Sequence, residues 1–373
     1  MSLLQEEAPA TSSERISGRS GTPFSMMDSA TPKSTQLIPA GITGLGSYLP
    51  DRVLTNADLE SIVDTSDEWI RSRTGIGQRY IAAAGQMTAD LAEEAARRAM
   101  SDAGVAAADI GLIIVATCTP DFQFPSTASL IQNRLGCSCA AFDLEAACSG
   151  FVYGLVVAQQ FIATGAARTV LVIGAEVMSR ILDWSDRTTC VLFGDGAGAA
   201  IVQGVPDGYG VLGFDLGSDG SGGELLKVVD RETDLELQRE SSKAPEGLKA
   251  VAGGRRIVQD GKQVYKFAVT VMGESALRAL KNSGLTSADV DLFVPHQANV
   301  RIIDSAAKRL DLPAKKVFVN VEKYGNTSAA SIPIALCDAR SQGRIGHGDT
   351  LVTVGFGAGL TWASCAIKWF APE

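Results

Sequence analysis

From about Gly41 onward the chain alternates short apolar runs with longer Ala-rich stretches of helical period. The runs "LIIVAT" (112–117), "TVLVIGAE" (169–176), "DLFVP" (291–295) and "TLVTVGF" (350–356) are apolar almost throughout. Such runs predict strands covered on both faces. "TADLAEEAARRAMSDAG" (88–104) has the spacing of a helix and ends on a glycine stop. Strands alternating with helices predict an α/β chain built on a mostly parallel sheet.

The pattern also repeats. "ARRAMSDAGVAAADIGL" (96–112) lies over "ALRALKNSGLTSADVDL" (276–292) at an offset of 180, and Ala96, Arg98, Ala99, Gly104, Ala108, Asp109 and Leu112 meet the same residue types. At an offset of 181, Gly165, Thr169 and Gly174 meet Gly346, Thr350 and Gly355. Two segments at nearly one offset predict a duplicated βαβ unit, with one half over 39–208 and the other over 209–373. In that register "ACSGF" (147–151) falls near Ser328 and Ala329, another small-residue turn before a helix. If the halves pack about a pseudo-twofold axis, both turns can face one cleft, a usual place for a site.

Composition sharpens this picture. The 373 residues leave room for two ordinary domains or two halves of a larger one. Residues 1–38 are rich in Ser, Thr, Pro and Gly without an apolar period, and read as a disordered tail. A net charge of −9 argues against a nucleic-acid partner. No apolar run reaches the roughly 18 residues of a membrane span, so no membrane insertion is expected. Seven cysteines without a CxxC pair suggest reduced thiols and a cytoplasmic protein. With only two histidines there is little to build a zinc site, and no metal is expected.

Three residues invite chemistry. Cys148 lies between small residues at a strand-to-helix turn. Packing explains a lone cysteine; a helix N-terminus, which lowers a thiol pKa from about 8.5, would also suit a nucleophile. His296, in "VPHQAN", ends a strand run, where open α/β sheets place ligands. Asn326, in "GNTSAAS", fits either a turn or an amide donor aimed into the cleft. "FGDGAGAAIV" (193–202) does not read as a dinucleotide loop, because it opens a strand run rather than a helix. "GFGAGLTWAS" (355–364) fits a tight turn or a close approach to a ligand.

Taken together, "DTSDEWIRSRTGI" (64–76), "ACSGF", "FGDGAGAA", "VPHQAN", "GNTSAAS" and "GFGAGLTW" resemble β-ketoacyl-acyl-carrier-protein synthase III, over about residues 40–372. The resemblance implies a thiolase-like αβαβα fold of two pseudo-twofold related halves, usually a homodimer. It implies condensation of a short acyl-CoA, acetyl-CoA first, with malonyl-acyl-carrier protein, and no cofactor beyond these substrates. By motif, Cys148 carries the acyl group, and His296 and Asn326 stabilise the enolate formed by decarboxylation. The N–H groups of Cys148 and Ala358 form a second oxyanion hole.

Further positions follow from the same resemblance. Trp69 and Arg187 match a pair that sandwiches the CoA adenine. Arg73 and Asn299 join the CoA and pantetheine contacts, and Phe124 matches an acyl-pocket wall that crosses the dimer. Arg301, Lys308 and Arg309 form a basic docking face for the acidic acyl carrier protein. Two departures stand out: Lys262 replaces a pantetheine-contact Asn, and residues 231–256 look like an insertion, a lid or surface loop. Two other readings stay open: a related acyltransferase using another acyl-CoA starter, and a papain-like cysteine hydrolase, which also orders Cys, His and Asn.

Overall fold

The computed structural model describes residues 37–230 and 255–371. Apart from Leu37 and Ile38, which are exposed, the tail expected over 1–38 lies outside the described residues. So does the expected insertion, except for Arg255 and Arg256, which begin a strand.

Two sheets form the frame, and two short antiparallel pairs lie outside it: β2 (Arg52–Thr55) with β3 (Gln78–Ile81), and β9 (Leu226–Asp230) with β10 (Arg255–Gln259). The first sheet takes β1 (Ala40–Tyr48), β4 (Leu112–Ala116), β5 (Ala140–Leu144), β6 (Thr169–Glu176) and β7 (Gly196–Gly204), in the order β1-β7-β6-β4-β5. The second takes β8 (Gly210–Ser218), β11 (Leu292–Pro295), β12 (Thr350–Gly357) and β13 (Thr361–Lys368), in the order β11-β12-β13-β8. β4 and β11 lie 180 residues apart, and β6 and β12 lie 181 apart, the offsets of the sequence repeat. β5 has no full counterpart; in the second sheet that place holds a single parallel bridge, Phe293 to Val317.

The sheets are mixed rather than mostly parallel. β4 runs parallel to β5 and β6, and β11 to β12, as expected. β7, β1, β13 and β8 then add antiparallel pairs. At β12 and β13 the reason is connectivity. β12 meets β13 across one short 3-10 turn, Ala358–Leu360, and a parallel neighbour needs a crossover of a dozen residues or more.

Five layers result. The helices Gly150–Ala163 and Ser331–Ser341 lie between the sheets, and their apolar residues join the inner faces of both in one core. This explains why "GFVYGLVVAQQFIA" is apolar nearly all round. Thr88–Ala103 covers the outer face of the first sheet through a stripe of alanines and Leu91, and stops at Gly104 in a left-handed turn. Gly261–Asn282, backed by Val300–Arg309, covers the outer face of the second. The layering is αβαβα. A fourth cluster, including Leu59, Ile70, Trp184, Cys190 and Ile257, closes one end. No helix among the described residues is long and apolar enough to cross a membrane.

The repeated glycines couple the two halves. Gly174 in β6 lies against the turn Ser328–Ala330, where an added Cβ would stand 2.3 Å from the Ala329 carbonyl oxygen. Gly355 in β12 lies against the matching turn Ala147–Ser149, with 3.0 Å to the Cys148 carbonyl oxygen. Each half thus seats its helix-leading turn on the central strand of the other. Both turns hold a non-glycine residue at positive φ, Ala147 at 45° and Ser328 at 49°.

Candidate active site

The two turns open onto one cavity of about 690 Å³. Cys148, His296, Asn326, Asn299 and Ala358 all line it. Met178, Ile181, Leu226, Ile257, Val264 and Phe356 give it apolar walls. The cavity therefore draws on both halves.

Cys148 occupies the short turn leading into Gly150–Ala163 and is 9% exposed. Thr361 braces the turn from the other half: its hydroxyl lies 2.8 Å from Ser149 Oγ and donates to the Ala146 carbonyl at 3.1 Å. Gly357 lets strand β12 approach, since a Cβ there would lie 2.7 Å from the Cys148 nitrogen. Ala358 follows directly, which brings its backbone beside that of Cys148. The expected lowering of the thiol pKa is not what packing produces. Burial pushes Cys148 up to about 12, and the carboxylates of Glu176 and Glu145 push the same way, against a lowering by Ser328. Desolvation is the largest of these contributions.

His296 follows β11 and is 1% exposed. Its Nδ1 lies 2.5 Å from Ser331 Oγ, and Nε2 has no hydrogen-bond partner among the described residues. The Gln297 N–H points at the same Ser331 oxygen, at 3.4 Å. The Ser331 hydroxyl has no other acceptor among the described residues, so the arrangement that uses its proton has it donating to Nδ1 and leaves the hydrogen on Nε2. Burial pushes the imidazole down to about 3, so the ring is neutral and a donor. Gln297 is scaffold. Its amide donates to the Pro295 and Phe318 carbonyls and accepts from the N–H groups of Asn320 and Val321.

Asn326 is held by "FGDGAG", the motif without an assigned role in the sequence. Its N–H donates to the Leu192 carbonyl at 2.9 Å, and its own carbonyl accepts from Gly194 at 3.0 Å. Buried Arg79 ties this loop down through the Val191 carbonyl at 2.6 Å. Asp195, wholly buried, accepts from Ala82 and Ser179. Gly196–Gly204 is a strand, in keeping with the rejection of a dinucleotide loop. The Asn326 Oδ1 accepts from the Ser328 N–H at 2.9 Å, so Nδ2 is left to donate.

The outer positions divide. Asn299 caps the helix Val300–Arg309, and its Nδ2 donates to the Arg73 carbonyl at 3.0 Å. Arg73 thus meets the site through its backbone, and its side chain is exposed and outside the cavity lining. Trp69 and Arg187 do meet, with the guanidinium 4.8 Å from the ring centre. They stack on each other and leave no gap for a third ring. Arg187 lines a second depression that shares Ile257 and Gln259 with the main cavity. Lys262 is exposed beside Gly261, Val264 and Tyr265, which line the cavity where Lys262 does not. Phe124 is 84% exposed and lines no part of this chain's cavity.

Arg301 and Lys308 are exposed on Val300–Arg309, and neither has an ion pair among the described residues. Arg309 differs: it pairs with Glu274 at 2.6 Å and lies against Gly273. Ser328, Ser331, Gln297 and Glu176 complete the site, and sequence reasoning singled out none of them for a role.

Comparison with known proteins agrees with this geometry. The family described as 3-oxoacyl-[acyl-carrier-protein] synthase III matches residues 142–220, and its C-terminal family matches 280–369. The chain is 53% identical to β-ketoacyl-[acyl-carrier-protein] synthase III of Desulfitobacterium hafniense over 335 residues, 89% of this chain and 98% of that one. It is 54% identical over 334 residues to the enzyme of the same name from Caldanaerobacter subterraneus, with the same coverage. The synthase III crystal structure from Thermus thermophilus superposes with a TM-score of 0.81 at 47% identity, covering 89% of this chain and 100% of that chain. That from Aquifex aeolicus gives 0.80 at 45% identity, covering 88% and 100%. A cavity shared by duplicated halves and relatives matched along nearly their whole length lead to one conclusion: the chain belongs to the β-ketoacyl-[acyl-carrier-protein] synthase III family of condensing acyltransferases.

Proposed function

We propose that the chain condenses a short acyl-CoA, acetyl-CoA first, with malonyl-acyl-carrier protein to start type II fatty-acid synthesis. One observation carries the reading: Cys148, His296 and Asn326, from three separated segments, line a single cavity. In the first half-reaction the Cys148 sulfur attacks the acyl thioester carbon and CoA leaves. The N–H groups of Cys148 and Ala358 are the donors for that oxyanion. In the second, the malonyl thioester oxygen accepts hydrogen bonds from His296 Nε2 and Asn326 Nδ2. Loss of CO₂ supplies the carbanion, so no base has to take a carbon-bound proton. The enolate attacks the acyl-cysteine, and the β-ketoacyl product leaves on the carrier.

A neutral imidazole suits this step, because its task is to donate a hydrogen bond. Asn299 and the helix it caps carry the pantetheine arm toward the exposed Arg301 and Lys308, which meet the carrier protein. Trp69 and Arg187 take the adenine after parting from each other. The exposed Phe124 supports a homodimer in which a second copy receives this ring as part of its acyl pocket. Reduced cysteines fit a cytoplasmic setting.

Intact-protein mass spectrometry tests the reading. Acetyl-CoA should leave a thioester on Cys148, absent in Cys148→Ser. Malonyl-carrier protein should then release CO₂ and a β-ketoacyl product. His296→Ala and Asn326→Ala should load normally but lose about 10²-fold or more in decarboxylation, the usual cost of an oxyanion donor. Rapid discharge of the adduct by water, without condensation, would favour a hydrolase instead.

A further inference from the structure

We propose that Glu176 is the proton acceptor for the Cys148 thiol, reached through the hydroxyl of Ser328. The inference rests on reading Cys148 as the nucleophile. The site leaves one need unmet. A buried thiol must lose its proton before it can attack, and His296 is poorly placed to take it. The imidazole Nδ1 is occupied by Ser331, and burial makes the ring a weak base.

A path leads the other way. Cys148 Sγ lies 3.4 Å from Ser328 Oγ, and the Ser328 hydroxyl donates to Glu176 Oε1 at 2.9 Å. Glu176 ends β6 and is wholly buried. The groups that hold it are neutral: the Thr117 hydroxyl at 3.2 Å, the Thr119 hydroxyl at 2.5 Å, and the Cys118 N–H and thiol, each at 3.2 Å. Among the described residues no cation pairs with it, and a carboxylate buried in that way is a poor means of stabilising a fold. As a base it is well kept, because burial raises it above the ordinary glutamate range. The titratable groups around the path are Cys118 from the segment after β4, Glu145 and Cys148 from the nucleophile turn, and neutral His296 across the cavity. Burial and Glu176 itself hold the Cys118 thiol protonated.

The protons balance over one turnover. As Sγ bonds to the acyl carbon, its proton passes to Ser328 Oγ and the Ser328 proton passes to Glu176. The acyl carbon to CoA sulfur bond breaks, and the CoA thiolate takes a proton from water. When the enolate attacks the acyl-cysteine, the carbon–Sγ bond breaks and expels a thiolate. That thiolate recovers the proton from Glu176 through Ser328, and the carboxylate is restored. Glu176 touches no substrate and is a positioning residue for the thiol's proton.

The test is alkylation of Cys148 by iodoacetamide in the full chain, read by peptide mass spectrometry over roughly pH 5 to 9. The wild-type rate should show an acid limb, above the ordinary glutamate range, where Glu176 takes up a proton. E176Q keeps the shape but accepts no proton. It should lose that limb and react about tenfold or more slowly at neutral pH. E176D should retain an acid limb. S328A should behave as E176Q does, and should fold, because Ala147 already holds the matching conformation. A wild-type rate and pH profile in E176Q and S328A would overturn the relay. If E176Q does not fold, S328A decides alone. Acetyl-CoA separates this inference from the reading it rests on. If Cys148 shows the expected alkylation profile but acetyl-CoA leaves no adduct, the synthase reading fails and the relay stands.

Discussion

Ser331 shows how much a single side chain can decide at this site. Its hydroxyl is the partner of Nδ1, and the decarboxylation proposed above draws on a hydrogen held at Nε2. Ser331→Ala removes the partner of Nδ1 and frees the ring to rotate or change tautomer. Decarboxylation of malonyl-carrier protein should then fall about tenfold or more, while loading of Cys148 by acetyl-CoA stays near wild type. Stopped single turnovers of each half-reaction check this. The nucleophile, the imidazole and the carboxamide were legible in the sequence because rare residue types stood in distinctive motifs. Ser328, Ser331 and Glu176 were not, since a serine in a small-residue turn looks like any other. Their roles come from neighbours 35 to 180 residues away. The direction of the Cys148 pKa is hidden from the sequence for the same reason: the burial that raises it is supplied partly by strand β12.

The strands and turns were read more easily. β4, β6, β11 and β12 begin and end within a residue of their apolar runs, and Gly104 stops its helix as expected. Sheet direction was less legible: the short turn between β12 and β13 forces an antiparallel pair, but β6 and β7 run antiparallel across residues 177–195, a connection long enough for a crossover. The repeat glycines carry the strongest constraint at this scale. Gly174→Ala would force a methyl group onto the Ala329 carbonyl, which is backbone and cannot swing away. The variant should lose about 2 kcal/mol of stability, the usual range for overpacking. It should also lose decarboxylation, since the displaced turn carries Ser328 and leads to Ser331. Gly104→Ala is the control: its space is open and only the positive φ opposes it, at about 1 kcal/mol, with no effect on chemistry. Urea unfolding beside the decarboxylation assay separates the two.

For the molecule as a whole, charge and layout work together. An acidic chain of net −9 exposes Arg301 and Lys308 on the helix whose first residues border the cavity. Arg301→Glu with Lys308→Glu should raise KM for malonyl-carrier protein about tenfold, with the defect shrinking as salt rises. Loading from acetyl-CoA should not change, and Arg309→Glu should do less to KM because Glu274 already engages that side chain. Titrating the carrier at two ionic strengths checks all three. The duplicated plan was visible at the outset as a sequence offset; that the halves trade their turns across the middle was not.

That exchange governs when the enzyme can come to life. Thr361, which secures the nucleophile turn, opens β13, and β13 joins the second sheet only by lying between β12 and β8. A nascent chain can build its first sheet early, yet the turn that carries the thiol gains its Thr361 brace only once β13 has left the ribosome. Until β13 docks, the nucleophile turn lacks that brace, so ordering of the site waits on contacts far apart in the sequence.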